Sequence, residues 1–497
     1  MPARSTSFDV AIVGSGFGGA AAALACVRAG LRTVVVERGG WPERDTDDWS
    51  PRGILLDQRY RDKVAFESRL YGHGSVRIER PNSVVGGNSV FYGGAAMRLR
   101  ETDFARWPLD YSELSPYYDE AERILGVHGV AGSDPFDPPR DHPYPHKSID
   151  YSTPARRIHV AAESIGCRPF PLPLAINFTD ETEPLCLRCT TCDGFPCKLE
   201  AKNDVTRTFL RLAVDEGLTI VAHTRVDRIA VAGRRASRLI CVDRAGRAGV
   251  EIEADTIVVA AGALQSPALL LRSGLGAHEA VGRYLMRHCN TIVTCLFPFE
   301  TNPEGTFHKQ VCVTDLYEDV RVRDGVAVGV IQDIYTPAPE VMRHYAPRWG
   351  RWLINLTHKR LQNLLCVAED EPRVENAVTL TDRLDEEGLP VIRVTHDYTD
   401  ADCARNSLLS DRAKDILKAA GGRVPYRHRL DTFSHALGTL RMTTSENDGP
   451  VDRTGRLRAA DNVYVTDSSV FPTSAGVNPS LTVAANAMRI GEGIARG

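Results

Sequence analysis

The chain has 497 residues, 43% of them hydrophobic and 25% charged, which suits a globular protein of about three domain-sized units that can bury a bulky cofactor. A formal net charge of -4 excludes the basic footprint of a nucleic-acid binder and gives no pull toward an anionic membrane. No uninterrupted apolar run reaches the roughly 18 residues of a membrane span, and the few residues before Phe8 hold no targeting segment, so a cytoplasmic protein without membrane or nucleic-acid partners is expected.

The first apolar run, Phe8 to Val13, reads as a buried strand. It leads into Gly14-Ser-Gly16-Phe-Gly-Gly19, and an alanine-rich helix is expected from Ala20 to Leu31 with Gly30 at its end. A second apolar strand, Arg32 to Glu37, ends in an acid 23 residues after Gly14. This is the order a dinucleotide demands. Gly14 makes the tight turn, Gly16 admits a pyrophosphate, and Gly19 lets helix and strand pack closely. The helix N-terminus receives the phosphates, and Glu37 accepts from ribose hydroxyls. The unit by itself leaves FAD and NAD open, while the acid disfavours NADP.

The stretch from Val84 to Arg98 contains Gly86, Gly87, Gly93 and Gly94 around two aromatics, which suits a backbone lying flat on a planar ring. Further on, Cys186, Cys189, Cys192 and Cys197 have the spacing C-x2-C-x2-C-x4-C, while the other eight cysteines are scattered. An iron–sulfur cluster, a structural zinc and a local disulfide knot all compete for these four thiols. The spacing fits zinc poorly, and a reducing compartment disfavours the knot. A structural loop of cystine or free thiol is preferred, with the iron–sulfur cluster as the alternative. Leu218 to Val226 is expected to be one strand whose end meets an adenine edge through backbone groups. Ala254 to Pro267 reads as a strand returning to the same parallel sheet before a helix. Residues 106–185 and 291–434 carry no nucleotide motif, and no single residue in them is assigned a catalytic role. The runs at 377–381 and 390–395 alternate as an antiparallel sheet walling a substrate pocket would, and Glu340 to Leu365 reads as an amphipathic helix pair.

The C-terminal part carries the chemistry. One segment reads His435-Ala-Leu-Gly438-Thr439-Leu-Arg441-Met442. A strand then ends at Asp467, and a helix is expected to start around Asn478-Pro479, with Asn478 as its N-cap and Thr482 in its first turn. With these motifs and the two glycine segments in this order, the chain resembles the glucose–methanol–choline (GMC) family of FAD oxidoreductases along nearly its whole length. The resemblance implies an α/β fold: a Rossmann-like FAD-binding domain (1–105, 200–290 and 435–497) interleaved with an α+β substrate domain and lid on an antiparallel sheet (106–199 and 291–434). It implies His435 as general base beside flavin N5 and Asn478 as its partner. Asp467 and Thr482 would hold the flavin, with Gly86, Gly87 and Asn88 over its ring and Val226 at the adenine. Neither His nor Cys occurs from Asn88 to Tyr92, so the FAD is expected to be non-covalent.

The expected function is oxidation of an alcohol to a carbonyl, with a neutral imidazole taking the hydroxyl proton and the flavin the hydride. Val90 to Arg98 and Pro169 to Asn177 resemble a bacterial branch acting on sugar or aminoglycoside hydroxyls, so a sugar-like or cyclitol-like substrate is expected. Oxygen or a separate acceptor would take the electrons. The alternatives are an FAD-containing lyase without net redox turnover and a non-catalytic FAD-binding subunit.

Overall fold

A computed structural model describes residues 7–72, 74–244, 249–307, 309–317 and 327–497. The first strand, β1 (Ser7–Val13), and the second, β2 (Thr33–Val36), flank the helix α1 (Phe17–Arg28). Residues 10–13 and all of β2 are buried, as the centre of a parallel sheet requires. A seven-stranded sheet forms around them in the order Thr219–Val221, β2, β1, Val250–Val259, Arg235–Asp243, Thr224–Ala232, with Val463–Val465 parallel to the C-terminal half of Val250–Val259. The last two pairings in that order are antiparallel, and the others are parallel.

Two local expectations need correction here. Helix α1 begins at Phe17, not Ala20, so two glycines of the motif lie inside its first turn. The single strand expected over Leu218 to Val226 is two strands, broken at His223, whose φ is +55°. The break lets the chain wrap Glu37: its N–H donates to Val221 O and its carbonyl accepts from Thr224 N, both at 2.9 Å. One strand thereby joins β2 and the other starts a separate meander.

A second large sheet has six strands and is antiparallel at every pairing. Strand alternation divides its faces. Val293, Cys295, Ile331, Leu364 and Cys366 belong to a cluster with Leu409, Ala413 and Ile416 of the helix Asp400–Ala419. Val330, Leu365 and Val367 join the main core on the other face, and Gln332 shares their parity. Burying each of the larger aliphatic side chains contributes about 1.5–3 kcal/mol. The helix starts on a reciprocal cap, in which Thr399 Oγ1 accepts from Asp402 N at 3.0 Å and Asp402 Oδ2 from Thr399 N at 2.8 Å.

The runs at 377–381 and 390–395 do not belong to this sheet. They lie in a four-stranded sheet with Phe66–Leu70 and Arg77–Glu79, where Pro390–His396 runs parallel to Phe66–Leu70. Alternation identified them as strands, but their partner, more than three hundred positions away, set the sheet. Of the helix pair expected over Glu340 to Leu365, two short helices form, Pro339–Tyr345 and Arg351–Thr357, but the second has no buried residue and from Leu361 the chain is a strand of the six-stranded sheet, Leu361–Ala368. Among the described residues no helix is long and apolar enough to cross a membrane.

The segment leaving the second glycine run is pinned by a buried charge. Arg98 is fully enclosed; its Nε and Nη2 donate to Glu122 at 2.9 and 2.7 Å, and its other contacts are Asp119 and Tyr111. Arg140 shares Glu122 at 2.8 Å. Removing one member of such a network strands the rest in low dielectric, at a cost of about 3–5 kcal/mol. Arg98→Met is therefore expected to lower the thermal midpoint of the FAD-loaded protein markedly, whereas substitution of the exposed Arg123, next to Glu122 on the helix Tyr111–Ile124, leaves it nearly unchanged.

Candidate active site

The nucleotide end is built by close approach of backbones. Gly14 turns the chain at φ +100°, where a Cβ would lie 2.4 Å from Ala260 O, and a Cβ on Gly19 would lie 2.0 Å from Gly14 O. Gly18 has the same constraint against Thr466 O at 2.4 Å, which the GxGxxG spacing does not reveal. Gly16 differs: it is the N-cap of α1, and its Cβ position meets nothing nearer than Gly86 O at 4.0 Å. The first N–H groups of α1 have no intrahelical acceptor, and its first turn holds no acid. Open space before free N–H donors fits a pyrophosphate.

Glu37 is buried and already oriented. Its Oε2 accepts from Ser15 N at 3.2 Å and Ser15 Oγ at 2.7 Å, and its Oε1 from Gly39 N at 2.9 Å. Each carboxylate oxygen has further lone pairs for a ribose hydroxyl. Ser15 Oγ also accepts from Gly86 N at 2.9 Å, so one hydroxyl joins the two glycine segments. Gly86 and Gly87 pack on Gly16 at the phosphate end, with the Gly87 Cβ position 3.4 Å from Gly16 Cα. Asn88 is exposed and its Oδ1 accepts from Asn82 at 2.8 Å. Val226 is buried in the strand that starts beside Glu37, paired with Cys241. Asp467 Oδ1 accepts from Ser469 N and its Oδ2 from Gly262 N, each at 2.8 Å, and Ser266 Oγ donates as well. Burial nonetheless raises its carboxyl pKa. Thr482 is enclosed, with its Oγ1 2.8 Å from Tyr118 OH.

The His435 motif is woven between two chains. Leu437 and Met286 exchange backbone bonds at 2.9 and 3.0 Å, while Gly438, Leu440 and Met442 donate to Ser468, Ser469 and Val470. Gly438 must lack a side chain, since its Cβ position is 2.6 Å from Tyr284 O. Thr439 Oγ1 donates to Ala263 O at 2.7 Å, and Arg441 lies over the Tyr284 ring at 3.6 Å. Each motif residue thus braces the loop that presents His435.

His288, which the sequence did not single out, fixes the state of that histidine. It is 1% exposed and held at φ +59°. Its Nε2 faces two carbonyls, Ser474 O at 3.0 Å and Ala475 O at 3.1 Å. A carbonyl only accepts, so His288 carries its proton on Nε2 and presents Nδ1 as a lone pair. His435 Nδ1 lies 2.9 Å from that lone pair and must donate to it. The only unprotonated atom of His435 is then Nε2. Burial first, then repulsion from His288 and Lys309, holds the His435 pKa well below the ordinary imidazole value, and burial also lowers that of His288. Asp370 supports the pair from behind, accepting from the backbone N–H of Arg287 at 2.9 Å and of His288 at 3.1 Å.

Asn478 is not the helix cap. The C-terminal helix runs Ser480–Arg496 with Pro479 at the cap position, and Asn478 Oδ1 accepts instead from Gln332 Nε2 at 2.6 Å. A buried side chain from residues 291–434, a region expected to contribute none, captures the cap residue. With its oxygen engaged, Asn478 keeps both amide N–H donors, which have no partner among the described residues. Nothing local in the sequence marks Gln332 or His288, since their partners are 146 and 147 positions away.

Cys186, Cys189, Cys192 and Cys197 are unpaired thiols in one loop, and among the described residues no group of three or more His, Cys, Asp or Glu is arranged to hold a metal. Burial pushes the Cys186 thiol up to about 11 and that of Cys192 further. The loop is secured through its backbone: Lys202 Nζ donates to Cys192 O at 3.0 Å and Phe195 O at 2.6 Å, and Arg44 to Cys197 O at 2.8 Å.

Two GMC oxidoreductase family models match, the N-terminal one over residues 12–290 and the C-terminal one over residues 372–487. Paromamine 6'-oxidase of Streptomyces fradiae is 30% identical, covering 98% of this chain and 91% of its own. The 6'''-hydroxyparomomycin C oxidase of Streptomyces lividus is 32% identical with the same coverage. A 2-methyl-1,2-propanediol dehydrogenase of Mycolicibacterium austroafricanum is 27% identical over 100% of this chain and 96% of its own. Among solved structures, pyridoxine 4-oxidase from Mesorbium loti has a TM-score of 0.69 at 19% identity, covering 98% of each chain. A formate oxidase variant from Aspergillus oryzae has 0.71 at 15%, also over 98% of each.

Proposed function

As a member of the GMC oxidoreductase family this chain is an FAD-dependent alcohol oxidoreductase, and we propose that it oxidises a hydroxyl of a sugar-like or cyclitol-like polyol, with His435 Nε2 as the base. The single observation that carries the base assignment is the relay in which His435 Nδ1 donates to His288 Nδ1 and His288 Nε2 donates to the Ser474 and Ala475 carbonyls. When bound, FAD supplies the hydride acceptor, and the protein's work is to bind, orient and move one proton. His435 Nε2 takes the hydroxyl proton; its neutral form is favoured because burial penalises the cation. Asn478 donates an amide N–H to the alcohol oxygen without competing for the proton, and Gln332 holds its amide in the donating orientation. Gly16, Glu37, Gly86, Gly87, Val226, Asp467 and Thr482 are assigned to the FAD-binding wall, and the relatives named as oxidases of paromamine and of a hydroxyparomomycin support an aminoglycoside-like polyol.

Anaerobic addition of paromamine, simple sugars, cyclitols and short alcohols to the FAD-loaded protein tests this reading. Bleaching of the flavin bands is expected with an amino-sugar or cyclitol and weaker or none with short alcohols. Turnover of a compound without bleaching would replace the reading by a lyase, and bleaching by short alcohols alone would sink the polyol assignment.

A further inference from the structure

Lys309 is 2% exposed, yet among the described residues its ammonium has one hydrogen-bond partner, Asp193 Oδ2 at 2.6 Å. An ammonium has three donors, so two N–H groups point at no partner among the described residues. A buried cation in that state is stable only if something else meets it. The pair lies directly over the second glycine segment: a Cβ on Gly93 would fall 2.6 Å from Lys309 Nζ and 2.7 Å from Asp193 Oδ2. The Lys309 charge also disfavours protonation of His435. The cation therefore lies against Gly93, in the segment expected to face the flavin, and its charge reaches His435.

Asp193 is held there by the cysteine-rich loop. It directly follows Cys192, whose carbonyl is tied by Lys202, and Tyr335 OH donates to Asp193 O at 2.6 Å. Gly194 N donates to Phe91 O at 2.8 Å, fastening the loop to the glycine segment itself. The loop thus delivers a carboxylate that keeps an ammonium beside the reaction chamber.

We propose that Lys309, positioned by Asp193, is the fixed cation that makes molecular oxygen the electron acceptor, so that this protein is an oxidase; this rests on the reading of the site as one where FAD is reduced by an alcohol. The step is balanced as anionic two-electron-reduced flavin plus O2 plus one proton giving oxidised flavin plus H2O2. The first electron to leave turns O2 into superoxide, an anion formed in a site with little water. A pre-placed positive charge lowers that barrier because it pays no reorganisation when the charge appears. No bond to Lys309 forms, and it returns unchanged.

The test separates this step from alcohol oxidation by reducing the FAD-loaded protein with dithionite and mixing it with oxygenated buffer in a stopped-flow cell. The wild-type protein is expected to be reoxidised faster than free reduced FAD measured alongside. Lys309→Met is expected to slow reoxidation about ten- to a hundredfold, and Lys309→Arg, which keeps the charge, to retain most of the rate. A readout outside turnover is sulfite, which adds to oxidised flavin to leave an anion: its Kd is expected to rise about tenfold in Lys309→Met. A Lys309→Met protein that keeps its FAD and reacts with oxygen at the wild-type rate overturns the proposal. So does a wild-type protein no faster than free reduced FAD, a comparison that decides the matter even if the variant does not fold. Failure of anaerobic reduction by every alcohol would instead count against the proposed function.

Discussion

His435→Ala is expected to keep its FAD and to be reduced by substrate about a thousandfold more slowly than the unaltered protein, measured by anaerobic stopped-flow absorbance. The size follows from removing the one proton acceptor at the carbinol while the hydride path and the Asn478 donor stay. The pH profile of the same rate gives an independent check. A base works when neutral, and burial first, then the neighbouring His288 ring and the Lys309 cation, keep His435 neutral to below the ordinary imidazole value. Reduction should therefore stay fast as pH falls through about 6.5, where a free imidazole protonates, and decline only further down. A limb at or above that value would contradict the buried, repelled state of the ring. A His435→Ala protein reduced within a few-fold of the normal rate would remove His435 from the chemistry.

The second large effect is expected at His288, whose ring nitrogens are both engaged by the protein and which acts as a positioning residue. His288→Ala removes the lone pair that receives the Nδ1 proton of His435. The proton is then free to reside on Nε2, the tautomer that cannot act as base, and a loss of about a hundredfold in flavin reduction is expected; a wrongly set tautomer has cost still more in serine proteases. His288→Asn should recover much of that loss. Its amide oxygen occupies the place of Nδ1, and asparagine tolerates the left-handed backbone found at this position. Equal loss in both variants would assign His288 to packing alone. Rescue by asparagine, with substrate affinity little changed, is the result a merely structural role would not produce.

Much of the nucleotide end was legible because it is local. Alternating or continuous apolar runs write strands, and the spacing of the glycines placed the tight turn at Gly14 and the close packing at Gly19. The C-terminal motif was legible for a different reason: Gly438, Thr439 and Arg441 brace one loop, and bracing needs particular residue types at fixed offsets. Local patterns failed where a distant chain intervened. His223 broke an apparent strand because Glu37 needed both of its backbone bonds. Asn478 surrendered its capping role to Gln332.

The sequence by itself determined the family, through several short motifs met in a fixed order, and the dinucleotide-type βαβ unit, whose glycines lie within a few turns of one another. Only the tertiary structure decided which nitrogen of His435 is free, which amide atom Asn478 offers, and that a cysteine-rich loop carries Asp193 to Lys309. Those outcomes rest on hydrogen bonds between side chains 116 to 147 positions apart, among them Asp193 with Lys309 and His288 with His435. A hydrogen bond is decided by tenths of an ångström in the packed core, and no spacing along the chain encodes that distance.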